Sequence, residues 1–161
     1  MTLYLVRHAQ AGSRSSWSGT DDLLRPLTAL GRYQAADIVG VLSEMGITEI
    51  RTSPYRRCIE TVAPLAAALG LDMIVDERLT EGPATGAIAL ARSLAETSTV
   101  FCSHGDIIPA ILDHLQLNDA LDLGVDPRCQ KGSTWICEPN RSWAGHFAEA
   151  TYLAPPTSAK L

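Results

Sequence analysis

Apolar positions along the chain fall into two rhythms that alternate. Short continuous runs at 2–6 and 99–103 read as buried strands, and 48–51 and 73–75 as two further short strands. Between them lie stripes with helical spacing. The first starts at Thr28, carries Ala35, Ile38, Val39 and Leu42, and has Gly46 as its stop. The second is predicted to open with Ser53 as N-cap and Pro54 in its first turn, to carry Ile59, Val62, Ala66 and Leu69, and to end at Gly70. Pro64 lies inside that stripe and is expected to kink or split it. An Ala-rich helix is expected at 87–95 and another at 106–115, with Pro109 in its first turn. Two further strands, 132–138 and 145–153, flank the turn Pro139-Asn140-Arg141-Ser142 and are expected to pair antiparallel. The alternation predicts a three-layer α/β/α sandwich: a mostly parallel sheet, helices on both faces, and an antiparallel pair at one edge. One domain is expected over 1–153, with a loose tail at 154–161.

Composition narrows the function classes. The chain has 161 residues, 46% of them hydrophobic and 19% charged, with a net charge of -5. No basic run is present, which argues against nucleic acid as a partner, since that binding depends on clustered Lys and Arg. No apolar stretch approaches the ~18 residues of a membrane span, and no signal peptide is legible at the N-terminus. Cys58, Cys102, Cys129 and Cys137 show no metal-type spacing and read as reduced thiols of a cytoplasmic protein. The closing Ala159-Lys160-Leu161 resembles a peroxisomal address, a match short enough to arise by chance.

The candidate chemistry sits where the strands end. Leu3-Tyr4-Leu5-Val6 runs into Arg7-His8, and Thr99-Val100-Phe101-Cys102-Ser103 runs into His104-Gly105. In an open α/β sheet the loops at strand C-termini line the ligand crevice. Arg57 follows the third such junction, Ser53-Pro54-Tyr55-Arg56-Arg57. A transferring phosphoryl group has three equatorial oxygens, and guanidinium forks supply fixed charge to them. A histidine can attack phosphorus when one ring nitrogen is neutral and the other is locked by donating to a carbonyl or carboxylate. A second, protonated histidine can stabilise the transition state. No metal or other cofactor is required by this set.

These blocks resemble the histidine phosphatase superfamily, the phosphoglycerate-mutase-like proteins. Leu5-Val6-Arg7-His8-Ala9 is similar to the Arg-His-Gly signature, with Ala9 in place of glycine. Ser53 to Thr61 resembles the arginine block, Arg78-Leu79-Thr80-Glu81 the block with the family's acid, and Ser103-His104-Gly105 the second-histidine block. The short length and Asp22-Leu23-Leu24-Arg25-Pro26-Leu27-Thr28 with Gly31 resemble the SixA-type phosphohistidine phosphatases. The loop 11–19 and Lys131-Gly132-Ser133-Thr134 also resemble the phosphatase-like domain attached to actinobacterial MutT-type Nudix hydrolases. The resemblance implies a hydrolase with His8 as nucleophile, Arg7, Arg25, Arg57 and His104 around the phosphate, and Glu81 as the acid. It implies a phosphorylated substrate: a phosphohistidine protein, or alternatively a small phosphorylated metabolite or nucleotide. A silent phospho-binding module is a third reading, opposed by the intact His8 and His104.

Plainer roles compete at several positions. Arg56 reads as a solvated helix residue, and Arg25 and Lys131 can be ordinary surface charges. Glu81 can belong to a solvated acidic turn with Asp76 and Glu77. Asp106 reads first as a helix N-cap and second as a substitute acid. His114 and His146 lack a ligand pattern, and Trp17, Trp135 and Trp143 read as packing or loop anchors.

Overall fold

A computed structural model describes residues 1–94 and 97–157. Six strands form one sheet: β1 (Leu3–Arg7), β2 (Glu49–Thr52), β3 (Met73–Val75), β4 (Thr99–Ser103), β5 (Thr134–Pro139) and β6 (Phe147–Leu153). Four α-helices connect them: α1 (Ala29–Leu42), α2 (Arg56–Leu69), α3 (Thr85–Ser93) and α4 (Ile107–Asp119). The strand order is β3-β2-β4-β1-β5-β6. β3, β2, β4 and β1 are parallel, and β5 and β6 add an antiparallel pair at the edge beyond β1. The expected α/β sandwich with an antiparallel edge pair is therefore what forms.

Each central strand feeds both faces because successive side chains point to opposite sides. Leu3, Leu5, Phe101, Trp135 and Cys137 pack with Leu90, Ile108, Ile111 and Leu115 from α3 and α4. Tyr4, Val6, Ile50, Val100 and Cys102 pack with Ile38, Leu42, Val62 and Leu65 from α1 and α2. Strands covered on both sides lose the polar alternation of a half-exposed strand, which is why β1 and β4 read as unbroken apolar runs.

The topology places the crevice. From β1 the chain leaves through α1 to β2, two places along the sheet. From β4 it leaves through α4 to β5, on the far side of β1. Connections departing in opposite directions from neighbouring strands open a cleft at their C-terminal ends. β1 and β4 end level with each other, Arg7 opposite Ser103, and the next backbone N–H, that of His8, donates to Ser103 O at 2.9 Å.

Several local expectations change. α2 does not start at Ser53-Pro54: it begins at Arg56, with Tyr55 at the N-cap position and no side-chain cap. The Ser53 hydroxyl has a longer-range partner, described below. Pro64 does not split α2, which runs unbroken to Leu69 and ends on Gly70 at φ 66. α1 ends before the expected Gly46 stop, and Gly46 (φ 68) turns the chain a few residues later. α4 continues to Asp119, whose carboxylate accepts from Arg92 and from the backbone N–H of Phe147. Asp106 occupies the N-cap position of α4 without capping it; its Oδ2 accepts the Gly82 N–H at 2.9 Å. At the tail, Pro155 is buried and Gln34 Nε2 donates to Pro156 O at 3.0 Å. Residue 95 of the expected third helix, and 158–161 with the Ala159-Lys160-Leu161 match, lie outside the described residues.

All four cysteines are free. Trp135 is core, Trp17 donates its indole N–H to Asp21 O, and Trp143 stacks on His146. Among the described residues no helix is long and apolar enough to cross a membrane, and no group of three metal-ligating side chains is present.

Candidate active site

His8 follows β1 and is 4% exposed. Its Nδ1 lies 2.8 Å from Ala9 O. A carbonyl can only accept, so Nδ1 carries the proton and Nε2 is left as the free lone pair. Burial pushes the His8 pKa down to about 3; the Ala9 carbonyl opposes this, and Arg57, His104 and Arg7 reinforce it. The ring is thus held neutral in one tautomer, the state a nitrogen nucleophile requires. Ala9 donates its own N–H to Thr61 Oγ1 at 2.9 Å and is not in the left-handed region, so alanine fits where the family signature has glycine.

His104 follows β4 and is 1% exposed. Its ring centroid is 5.4 Å from that of His8. Ser53 Oγ lies 2.8 Å from Nε2, and Glu81 Oε1 lies 3.3 Å from Nδ1. Tyr55 packs edge-on against the ring, 4.9 Å between centroids.

Arg57, in the first turn of α2, is completely buried. Its Nη1 donates to Asp22 Oδ2 at 3.0 Å and its Nη2 to Glu81 Oε1 at 2.8 Å. Its Cζ sits 4.4 Å above the Tyr55 ring, a cation–π contact. Arg7 Nη1 donates to Cys129 O. Gly105 lies against the Arg7 guanidinium, where a Cβ would come within 2.7 Å of Cζ. The Nε–H groups of Arg7 and Arg57 are both buried and have no acceptor among the described residues. Unsatisfied buried donors are rare and costly. Two of them beside a neutral imidazole mark a place that suits an oxyanion.

Glu81 reaches this centre from the loop before α3. Its Oε1 contacts Arg57 and His104, and its Oε2 accepts from Arg14 Nη2 at 3.1 Å. It is therefore not part of a free acidic turn, whereas Asp76 pairs with Arg51 and Arg78 on the side of β2 and β3. Arg25 is 6% exposed and is no surface charge: its Nε donates to Asp22 Oδ1, and its Nη1 to Ala11 O and Gly12 O. It reaches the centre through Asp22. Arg56 pairs with Glu60 one turn along α2, half in solvent.

Sequence reasoning missed two residues. Asp22 contacts Arg57, Arg25 and Arg14 at once. Those hydrogen bonds and charges overcome the burial that would raise its pKa and hold it down at about 2. Its spacing of three from Arg25 was the available signal. Ser53 was assigned to a helix cap instead of to His104. A surface recess of about 590 Å³ between α1 and α2 is lined by Pro26, Leu27, Arg32, Glu60 and Pro64 and includes neither His8 nor His104.

Comparison with known proteins places the chain in a family. Residues 3–87 match the family described as "Histidine phosphatase superfamily (branch 1)". The chain is 33% identical over 96% of its length to the 8-oxo-(d)GTP phosphatase of Mycolicibacterium smegmatis, and it spans 48% of that protein. The chain thus covers about half the length, or less, of the curated relatives it matches. Among solved structures, the SixA protein of Agrobacterium tumefaciens superposes with TM-score 0.78 at 21% identity, covering 96% of this chain and 97% of that one. The SixA protein of Nakamurella multipartitia superposes with TM-score 0.71 at 26% identity, covering 96% and 95%.

Proposed function

Because the chain belongs to the histidine phosphatase superfamily, branch 1, we propose that it is a metal-independent phosphatase working through a phosphohistidine on His8. The observation that carries this reading is the neutral, tautomer-locked His8 beside the unpartnered Nε–H groups of Arg7 and Arg57.

The reaction has two displacements. His8 Nε2 forms a bond to phosphorus as the bond from phosphorus to the leaving group breaks. The leaving group departs with that electron pair and takes a proton from Glu81. Arg7, Arg57 and His104 hold the equatorial oxygens while charge spreads over them. Water then attacks phosphorus and loses its proton to Glu81. The N–P bond breaks, its electron pair returns to Nε2, and phosphate leaves. Both Glu81 oxygens are engaged by guanidinium groups, so acid catalysis requires substrate oxygens to replace Glu81 on Arg57.

For the substrate, the Arg25-Pro26-Leu27-Thr28 stretch and the SixA-like fold support a phosphohistidine on a partner protein. The Mycolicibacterium relative, matched along nearly the whole chain, favours a second reading, a small phosphorylated compound of the nucleotide type. The decisive experiment is acid-quench labelling with a phosphorylated substrate. Wild type is expected to yield an acid-labile phosphoenzyme and His8→Ala none. Full turnover by His8→Ala would overturn the mechanism. A screen of phosphohistidine peptides, sugar phosphates and nucleotides then separates the substrate readings.

A further inference from the structure

The cations around the site are not equivalent. Arg57 is paired with Asp22 and Glu81, Arg25 with Asp22, and Arg14 with both acids. Arg7 touches no carboxylate among the described residues, but its unpartnered Nε–H belongs to the phosphoryl site already described. Lys131 is the remaining case. It is half-buried and has no hydrogen-bond or carboxylate partner among the described residues.

Lys131 belongs to the loop that wraps the nucleophile's strand end. Cys129 O accepts from the Arg7 side chain, Gly132 N–H donates to both Arg7 O and His8 O at 3.1 Å, and Ser133 O accepts Arg7 N–H at 3.0 Å. Gly132 is at φ 80 with its Cα close against Gln34, where a Cβ would meet side-chain atoms at 3.0 Å. Gln34 Oε1 in turn accepts the Gln10 N–H. The loop is therefore pinned on both sides of Lys131, one residue from the N–H that holds the His8 carbonyl. Burial lowers the Lys131 pKa, and the charges of Arg7, Arg25 and Arg57 lower it further. An ammonium held near three guanidinium groups with no acid of its own is a cost to the fold unless an anion shares it.

We propose that Lys131 forms a second anion subsite next to the phosphoryl site, and that the substrate is a diphosphate-type compound whose terminal phosphoryl group goes to His8 while Lys131 holds the adjoining phosphate. The proposal rests on the phosphatase reading and sharpens its small-molecule branch. In the transfer, the N–P bond to His8 Nε2 forms as the bridging P–O bond breaks. The bridging oxygen keeps the electron pair and leaves as part of the remaining phosphate, which Lys131 stabilises by charge.

Two probes test this, inorganic pyrophosphate and orthophosphate, titrated calorimetrically into the His8→Ala protein so that no turnover intervenes. Pyrophosphate is expected to bind at least ~10-fold more tightly than orthophosphate, consistent with one extra charge-assisted contact. In the double variant His8→Ala/Lys131→Gln that advantage should shrink to less than ~3-fold, and in His8→Ala/Lys131→Arg it should survive. A parallel readout is the ratio of kcat/KM for pyrophosphate to that for p-nitrophenyl phosphate, which Lys131→Gln should lower ~10-fold. Equal affinity for the two anions in the Lys131-containing protein, or equal weakening of both by Lys131→Gln, overturns the subsite. If orthophosphate fails to bind and no phosphoenzyme forms, the phosphatase reading itself has failed. If both are seen but pyrophosphate has no advantage, only the subsite has.

Discussion

Ser53 Oγ and His104 Nε2 lie 2.8 Å apart, just past the ends of the neighbouring strands β2 and β4. Both residues are buried, so the hydroxyl is what fixes the His104 ring with Nδ1 turned toward Glu81 and Arg57. Replacing Ser53 with alanine leaves the buried His104 Nε2 with only the weak Cys58 Sγ contact at 3.6 Å, a loss of about 1–3 kcal/mol. Ser53→Ala is expected to lower kcat roughly 10-fold or more with a smaller change in KM, and to lower the melting temperature by a few degrees. Steady-state kinetics and a thermal melt check both; a variant with wild-type kcat would mean that the ring is held by other contacts.

Gly105 packs against the Arg7 guanidinium too closely for a side chain. Gly105→Ala must push Arg7 aside, and a misplacement near 1 Å at a reacting centre costs on the order of 100-fold in rate. The expected outcome is a ~100-fold drop in kcat/KM with the far-ultraviolet circular dichroism unchanged. Retention of most activity would show that Arg7 is not required where it sits.

Acid should weaken the protein before it protonates His8. His8 has a folded pKa of about 3 against an ordinary 6.5, and Asp22 about 2 against 3.8. Both are depressed, so in each window the unfolded chain binds more protons than the folded one. The His8 contribution is whole above pH 6.5 and is lost as pH falls toward 3. The Asp22 contribution is whole above 3.8 and is lost on approach to 2. The melting temperature is expected to fall progressively below pH 6.5. Imidazole nitrogen NMR should show His8 in its single neutral tautomer from pH 8 to pH 5. A His8 resonance that titrates near 6.5 would contradict the burial argument.

Glu81 separates two kinds of leaving group. An alkoxide is strongly basic and needs a positioned acid, whereas an imidazole leaves with a conjugate-acid pKa of roughly 6.5. Glu81→Gln is expected to depress alkyl phosphomonoester hydrolysis by ~100-fold and phosphohistidine or aryl phosphate hydrolysis much less. Equal, small losses on both would move the role to Asp106, which is tied to the same loop through Gly82, or to water.

Gly31 carries a structural prediction. A Cβ there would lie 2.0 Å from Gln10 O, a backbone atom that also accepts from Thr28 N–H. Gly31→Ala is expected to destabilise by about 2–3 kcal/mol, as an overpacked contact does, measured by urea denaturation.

The strands β1 and β4 were legible because both of their faces are covered, which writes burial into consecutive residues. The proposed nucleophile was legible for the same reason: Arg7-His8 breaks an apolar run abruptly. What failed were readings in which a local signal competes with a distant partner. Ser53-Pro54 has the form of a helix start, yet its hydroxyl is claimed by a histidine 51 positions away. Asp106 has the position of an N-cap, yet its carboxylate is claimed by Gly82. Asp22 joins its near neighbour Arg25 to Arg14 and to Arg57, and the link to Arg57, 35 positions away, exists only after the loop has met α2.

The level ending of β1 and β4 has a wider consequence. With Arg7 opposite Ser103 in a hydrogen-bonded ladder, the spacing of the two histidines is a property of the sheet, gauged by backbone geometry that side-chain changes barely touch. The groups proposed to meet the rest of the substrate, Arg25, Glu81 and Lys131, instead sit on segments 9–27, 76–84 and 129–132, which lie outside that ladder. Such a division lets selection rewrite what the molecule accepts while the reacting centre keeps its dimensions.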